Sequence, residues 1–283
     1  MGGTMILTTL HQLESIPSLS AYADGFIVGL EGVSIRAIQD LTETQLKEVK
    51  QECDKTNKKL YVNFCKLFME DELEVAQKGL EICLNIGING IYYADEGLYY
   101  LAEKLNMVDR LIYQPETLVT NHLDVQYYLD QGIQSVSLAH ELSLEEIENI
   151  AKYQNNIEIL LHGTYSILYS KRPLVSNYLQ AHGIEWKDDY SFDLIEQTRE
   201  DRMPIVQDDT GTHIFTEAEM KSIDQYRRLQ ACGIQRFRID SYFHDDNWTL
   251  QVLKAYQEGL ELFDGSDLWY GQETIKKKGD DDE

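Results

Sequence analysis

The chain has no run of eighteen apolar residues, the length an α-helix needs to cross a bilayer, so no membrane span is expected. Its start carries no basic stretch leading into an apolar one, so no secretory signal is read there. Gly2 invites a myristoylation reading, but Ile6 stands where that motif needs Ser or Thr. Met1–Thr4 reads as a leader, since Met5 opens the first apolar run, and a cytoplasmic protein is expected. Cysteine is scarce. Cys53, Cys65, Cys83 and Cys232 lie far apart with no CxxC pair, as suits reduced thiols in a cytosolic chain. Basic residues are also in short supply, with 25 Lys and Arg against 49 Asp and Glu, a formal net charge of −24. Such a surface repels phosphate backbones, and no Lys/Arg-dense stripe offsets it. Strong direct binding to nucleic acid is therefore not expected, whereas a cationic partner is compatible.

What is present is an alternation of short β-rich runs and amphipathic stretches. Candidate strands are Met5–Thr9, Gly25–Leu30, Lys59–Cys65, Gly90–Tyr93, Arg110–Tyr113, Ser135–Ala139, Ile157–His162 and Gln235–Asp240. Each is rich in Ile, Val, Leu and Tyr, like strands buried in a parallel sheet. Helical patterns fall at Thr44–Thr56, Glu70–Ile86, Leu123–Gln131, Ser143–Gln154, Glu217–Ala231 and Trp248–Leu262. Ser143 followed by Glu146 predicts a capping box. Gly87, Gly132, Gly183 and Gly233 each follow an amphipathic run, as helix-terminating glycines do. Eight strands alternating with helices in 283 residues predict a single-domain α/β (β/α)₈ barrel over residues 5–270. An excursion, Gly163–Phe215, interrupts it after the seventh strand. It contains Pro173 and Pro204 and is too long for a plain loop, so a short helix and a hairpin around Ile205–Phe215 are expected within it. Residues 271–283 read as a flexible charged tail.

In a barrel of this kind the working residues collect at the C-terminal strand ends. Those ends carry Gly29 and Glu31, Cys65, Asp95 and Glu96, Gln114 and Glu116, His140 and Glu141, His162, and Asp240. His162, Glu141 and His140 are the candidate catalytic residues, expected to share a pocket as an acid–base group. His213 or His122 would be needed to complete a metal site, and no metal is assigned. Arg36, Asp95, Gln114, Glu116, Tyr169, Arg172, Asp208 and Asp240 are the candidate substrate-binding residues. Arg36, Lys171 and Arg172 are the cations placed to meet a small carboxylate ligand. Asp208-Asp209 suits a turn better than a carboxylate pair, because adjacent strand residues face opposite ways. Ser166 and Ser170 follow His162, but His162-Gly163-Thr164-Tyr165-Ser166 is not a nucleophile elbow.

Several of these segments resemble peptidase family U32. His140-Glu141-Leu142-Ser143 is similar to the family's Arg-Glu-Leu-Ser at the end of a strand. Ile157–Ser176, with His162-Gly163, Tyr169-Ser170 and Ser176, resembles its signature stretch. Asp208–Phe215 resembles its acidic hairpin and Phe237–Asp240 its last strand. Gly29, Ser34-Ile35-Arg36 and Asp95-Glu96-Gly97 fit its second and fourth strand ends. The resemblance implies cysteines at the signature positions, where several members hold an iron–sulfur cluster. Here those positions are Ser166 and Pro173, so no cofactor is expected, since such clusters require thiolates. His140 replaces the family's arginine, exchanging a fixed cation for a titratable ring. Family members include collagenase-like peptidases and proteins that act in base hydroxylation, in some bacteria as a short member beside a longer cysteine-bearing one. The resemblance therefore implies a non-redox partner of a cysteine-bearing U32 paralogue in tRNA wobble-uridine hydroxylation. The alternatives are a U32-type peptidase with acid–base or metal-assisted hydrolysis, and a scaffold without catalysis.

Overall fold

The structure, a computed structural model, describes residues 4–187, 191–195, 197, 201–262 and 265–272. Eight parallel strands close on themselves: β1 (Met5–Thr9), β2 (Gly25–Leu30), β3 (Lys59–Phe64), β4 (Gly90–Tyr93), β5 (Leu111–Tyr113), β6 (Ser135–Ser137), β7 (Ile157–Gly163) and β8 (Arg236–Ile239). Each pairs with the next, and β1 pairs with both β2 and β8, so no barrel edge is left open. Among the described residues the α-helices are α1 (Ile16–Leu19), α2 (Glu43–Lys55), α3 (Leu73–Ile86), α4 (Glu96–Lys104), α5 (His122–Asp130), α6 (Leu144–Ala151), α7 (Leu174–Ala181), α8 (Tyr226–Ala231) and α9 (Asp246–Glu258). Among the described residues no helix is long and apolar enough to cross a membrane. The predicted strands are recovered with ends shifted by at most two residues.

The outer core lies between strands and helices and is mostly apolar, with Ile6, Phe26, Leu60, Ile91, Leu111, Val136, Ile157 and Phe237 facing it. The lumen is divided. On one side Leu7, Ile27, Tyr61, Tyr92 and Ile112 pack together. On the other, alternation turns Glu158, Arg236 and Arg238 inward, because Ile157, Ile159, Phe237 and Ile239 take the outer face. Gly90 makes room at the junction, since a Cβ there would lie 2.5 Å from the Tyr61 ring.

Gly163 ends β7 with φ near +125°, a conformation open chiefly to glycine, and its missing Cβ would meet the Asp240 carbonyl oxygen at 2.2 Å. The chain then leaves the barrel for a four-stranded antiparallel sheet in the order 192–194, 203–208, 211–215, 166–170. The expected hairpin is present, turned at Asp208–Gly211, and α7 is the expected short helix. The helix predicted over Glu217–Ala231 is a correction: only Tyr226–Ala231 is helical. Met220 and Lys221 instead pair with Gly163 and His162 of β7, and the Ser222 N–H donates to the Leu161 carbonyl. Sheet hydrogen bonding and complete burial of Met220 outweigh the local helical pattern there. Of the expected leader and tail, residues 1–3 and 273–283 lie outside the described residues.

Candidate functional site

The ion pair between Arg36 and Glu116 organises the barrel mouth. Arg36 stands in the loop after β2 and Glu116 in the loop after β5. Both have left-handed backbones, with φ of 49° and 68°. For side chains of this kind that conformation costs about 1–2 kcal/mol each, and it persists only where surrounding contacts enforce it. The Arg36 Nη1 also donates to Ser166 Oγ at 3.0 Å, tying the first strand of the antiparallel sheet across the mouth. Glu116 reaches His140 with its other oxygen, 3.2 Å from Nε2, and its carbonyl accepts from the His140 N–H at 3.1 Å.

Burial alone would raise the Glu116 carboxyl, but Arg36, His140 and Arg238 together hold it below the usual carboxylate range. His140, 5% exposed and packed against Tyr165, is pushed down to about 4. Burial is the main cause; Arg238 and Arg36 add to it against the pull of Glu116. Beneath the mouth, Arg238 Nη1 donates to Asp240 at 3.0 Å, while its Nε lies 3.7 Å from Glu158. Gln114, with its amide turned to present the oxygen, accepts from both Nη atoms of Arg238 at 2.8 and 3.2 Å. Glu158 is wholly buried, accepts from the Tyr92 hydroxyl at 2.7 Å, and lies 3.5 Å from Arg236 Nε. Burial raises Asp240 despite Arg238 and Arg36.

Two cavities share this wall. The larger, about 230 Å³, is lined by Arg36, Cys65, Gln114, Glu116, Ser166 and Tyr169, with Ile35, Leu67, Leu118 and Leu168 as apolar surfaces. The smaller, about 20 Å³, lies among Arg36, Glu116, His140, Ser166, Arg238 and Asp240. An open groove of about 840 Å³ runs beside α8 and the end of α9, and none of the candidate site residues lines it.

The structure thus brings Arg36, Gln114, Glu116, His140, Tyr169 and Asp240 together and leaves the other candidates elsewhere. His162 corrects the expectation of a shared pocket. A one-residue irregularity sets Arg238 opposite Leu160 but Ile239 opposite His162, and the His162 ring packs against α9. There its Nδ1 is 3.2 Å from the Tyr256 hydroxyl and its ring lies against Trp248. Glu141 is exposed and lines neither cavity. Asp95 caps α4 by accepting from Gly97 N at 2.7 Å and also accepts from Phe68 N at 3.0 Å. Asp208 accepts from Thr210 within its turn; bonds from His213 and Thr210 outweigh burial and bring it to about 2. Arg172 is exposed, and its carbonyl accepts from Thr212 Oγ1 at 2.8 Å. Tyr169 donates to the Thr210 carbonyl at 3.1 Å and stacks on His213. His122 stacks on Tyr153.

The sequence reading missed Glu158, Arg236 and Arg238. Their signal was available: Arg236-Phe237-Arg238-Ile239-Asp240 alternates charged and apolar residues in a strand expected to be buried on both faces.

The residues do not fit an iron–sulfur cluster. Cys53 and Cys83 are buried on α2 and α3, Cys65 borders the lumen, and Cys232 follows α8. Burial pushes the first three thiols up to about 12, away from the thiolate form a cluster requires. Among the described residues, no group of three or more His, Cys, Asp or Glu is arranged to hold a metal.

Comparison with known proteins finds relatives that cover most of this chain. tRNA hydroxylation protein P2 of Bacillus subtilis is 26% identical over 264 residues, covering 91% of this chain and 85% of that one. tRNA hydroxylation protein P1 of the same organism is 20% identical over 266 residues, covering 91% of this chain but 63% of its own length. The solved U32 peptidase Mk0906 superposes with a TM-score of 0.49 at 13% identity, covering 85% of this chain and 93% of that one. The pattern of peptidase family U32 matches residues 11–277, nearly the whole chain, and the chain belongs to that family.

Proposed function

We propose that this chain is a ligand-binding, non-redox subunit in tRNA wobble-uridine hydroxylation, acting beside a cysteine-bearing U32 paralogue. The observation that carries the reading is the Arg36–Glu116 pair, two charged residues held in left-handed backbone at the wall of a half-open cavity. Backbone strain concentrated on a paired cation and anion is a mark of binding sites. The likeness to two tRNA hydroxylation proteins of one organism supports the biological setting. A small carboxylate suits the cavity: it would compete with Glu116 for the Arg36 guanidinium and lay its apolar body against Ile35, Leu118 and Leu168. With a net charge of −24, the partner would supply the basic surface for tRNA.

The peptidase alternative draws less support from the same geometry. A general base works best with a pKa near the operating pH, and both Glu116 and His140 are displaced downward from it. Ser166 Oγ is bound to Arg36 rather than to an imidazole. The test is deletion of the gene with analysis of tRNA nucleosides, together with affinity purification of the full chain. Loss of hydroxyuridine and recovery of the paralogue are expected; normal tRNA in the deletion strain refutes the proposal. Cleavage of denatured collagen by the pure protein, abolished by a chelator, would establish the rival.

A further inference from the structure

We propose that the 20 Å³ chamber behind Arg36 is a binding site for a single water molecule, which forms part of the wall that a ligand in the larger cavity would meet. The chamber is about the size one water requires, roughly 10–15 Å³ or more by the same measure. Its lining is polar: Arg36, Glu116, His140, Ser166, Arg238 and Asp240, closed on one side by Phe215. By strict hydrogen-bond geometry both buried ring nitrogens of His140 lack a protein partner, although Nε2 lies 3.2 Å from Glu116 and the Ser166 backbone also interacts with the ring. A buried polar group without a partner costs about 1–3 kcal/mol, which a water bridging His140 to the neighbouring carboxylates would offset.

The occupant's charge follows from the lining. Two guanidiniums, Arg36 and Arg238, face two carboxylates, Glu116 and Asp240, and each cation already contacts one of those anions. An added ion would upset that balance at the cost of its own dehydration, whereas neutral water both donates and accepts. Arg36, Glu116 and Ser166 line both cavities, so the water sits directly behind the larger one. A ligand hydroxyl or amine reaching past Arg36 would hydrogen-bond to it or replace it.

The water site does not depend on the hydroxylation reading and would stand even if tRNA were normal in the deletion strain. A crystal structure of the full chain, refined with ordered solvent, should show one water within hydrogen-bond distance of a His140 nitrogen and of two among Glu116, Ser166, Arg238 and Asp240. In solution, NMR of histidine-labelled protein should show a cross-relaxation peak between a long-lived water and the His140 ring, lost in His140→Phe. The wild-type measurements stand alone if that variant fails to fold. Side chains closing the chamber, an ion in the density, or no long-lived water at the wild-type ring would overturn the proposal.

Discussion

Acid should destabilise this protein well above the pH at which ordinary carboxylates titrate. His140 and His162 are both buried and held down to about 4, mainly by burial, with Arg238 and Arg36 acting on the first and His244 and Lys221 on the second. In the unfolded chain each would titrate near 6.5. As pH falls, the unfolded state therefore takes up these protons first. The contribution of each histidine is fully present above about pH 6.5 and is lost progressively as pH falls toward 4. At about 1.4 kcal/mol per pH decade, each accounts for roughly 3 kcal/mol in full and about 2 kcal/mol by pH 5. Two such groups are a large share of the 5–15 kcal/mol typical of folded domains. Asp40 works in the opposite direction, since burial and then Asp209, Asp208 and Glu31 push it up to about 6, but it is exposed and its effect is screened. Asp240, raised by burial, also opposes the loss. Glu72 and Asp208, both near 2, add acid sensitivity only at lower pH. Urea unfolding between pH 7.5 and 5 measures the slope, and His162→Gln, which retains a hydrogen-bonding group beside Tyr256, should remove about half of it. Stability unchanged between pH 7 and 5, or a full slope in His162→Gln, would refute the reasoning.

Arg36→Gly and Arg36→Ala both break the ion pair, but only glycine relaxes the left-handed backbone, so Arg36→Gly should be the more stable of the two by about 1 kcal/mol in chemical denaturation. Gly163→Ala forces a Cβ onto the Asp240 carbonyl and should cost more than about 2 kcal/mol, read as a lowered urea midpoint. Glu158→Gln leaves Arg236 without its buried carboxylate and Arg238 with Asp240 alone, and should cost about 3–5 kcal/mol. Tyr92→Phe, which removes one hydrogen bond to that carboxylate, should cost only about 1.5–3 kcal/mol in the same assay.

The barrel was legible because each parallel strand is buried on both faces and reads as a compact apolar run, with helical periodicity between the runs. The hairpin and α7 were legible from Asp208-Asp209-Thr210-Gly211 and from the length of the excursion. The segment before α8 was not, since Met220 and Lys221 are held by a strand nearly sixty residues earlier in the chain. At the site, the strand ends pointed to Gln114, Glu116, His140 and Asp240 as neighbours, and Arg36 was expected there as a cation facing the pocket, but none of their pairings was legible. His162 was misplaced because a one-residue irregularity reverses the side on which a strand residue emerges, and no local pattern announces it.

The sequence by itself determined the alternation of strands and helices, the deficit of basic charge and the scarcity of cysteine. Those properties rest on periodicity and composition, which are read without knowing the tertiary contacts. Only the tertiary structure decided that Arg36 and Glu116, eighty residues apart, form a strained pair, that Glu158 lies between two lumen arginines, and that His140 faces the mouth while His162 faces α9. Closing the barrel brings distant strand ends within a few ångströms, and burial then converts ordinary charged and titratable side chains into a coupled site.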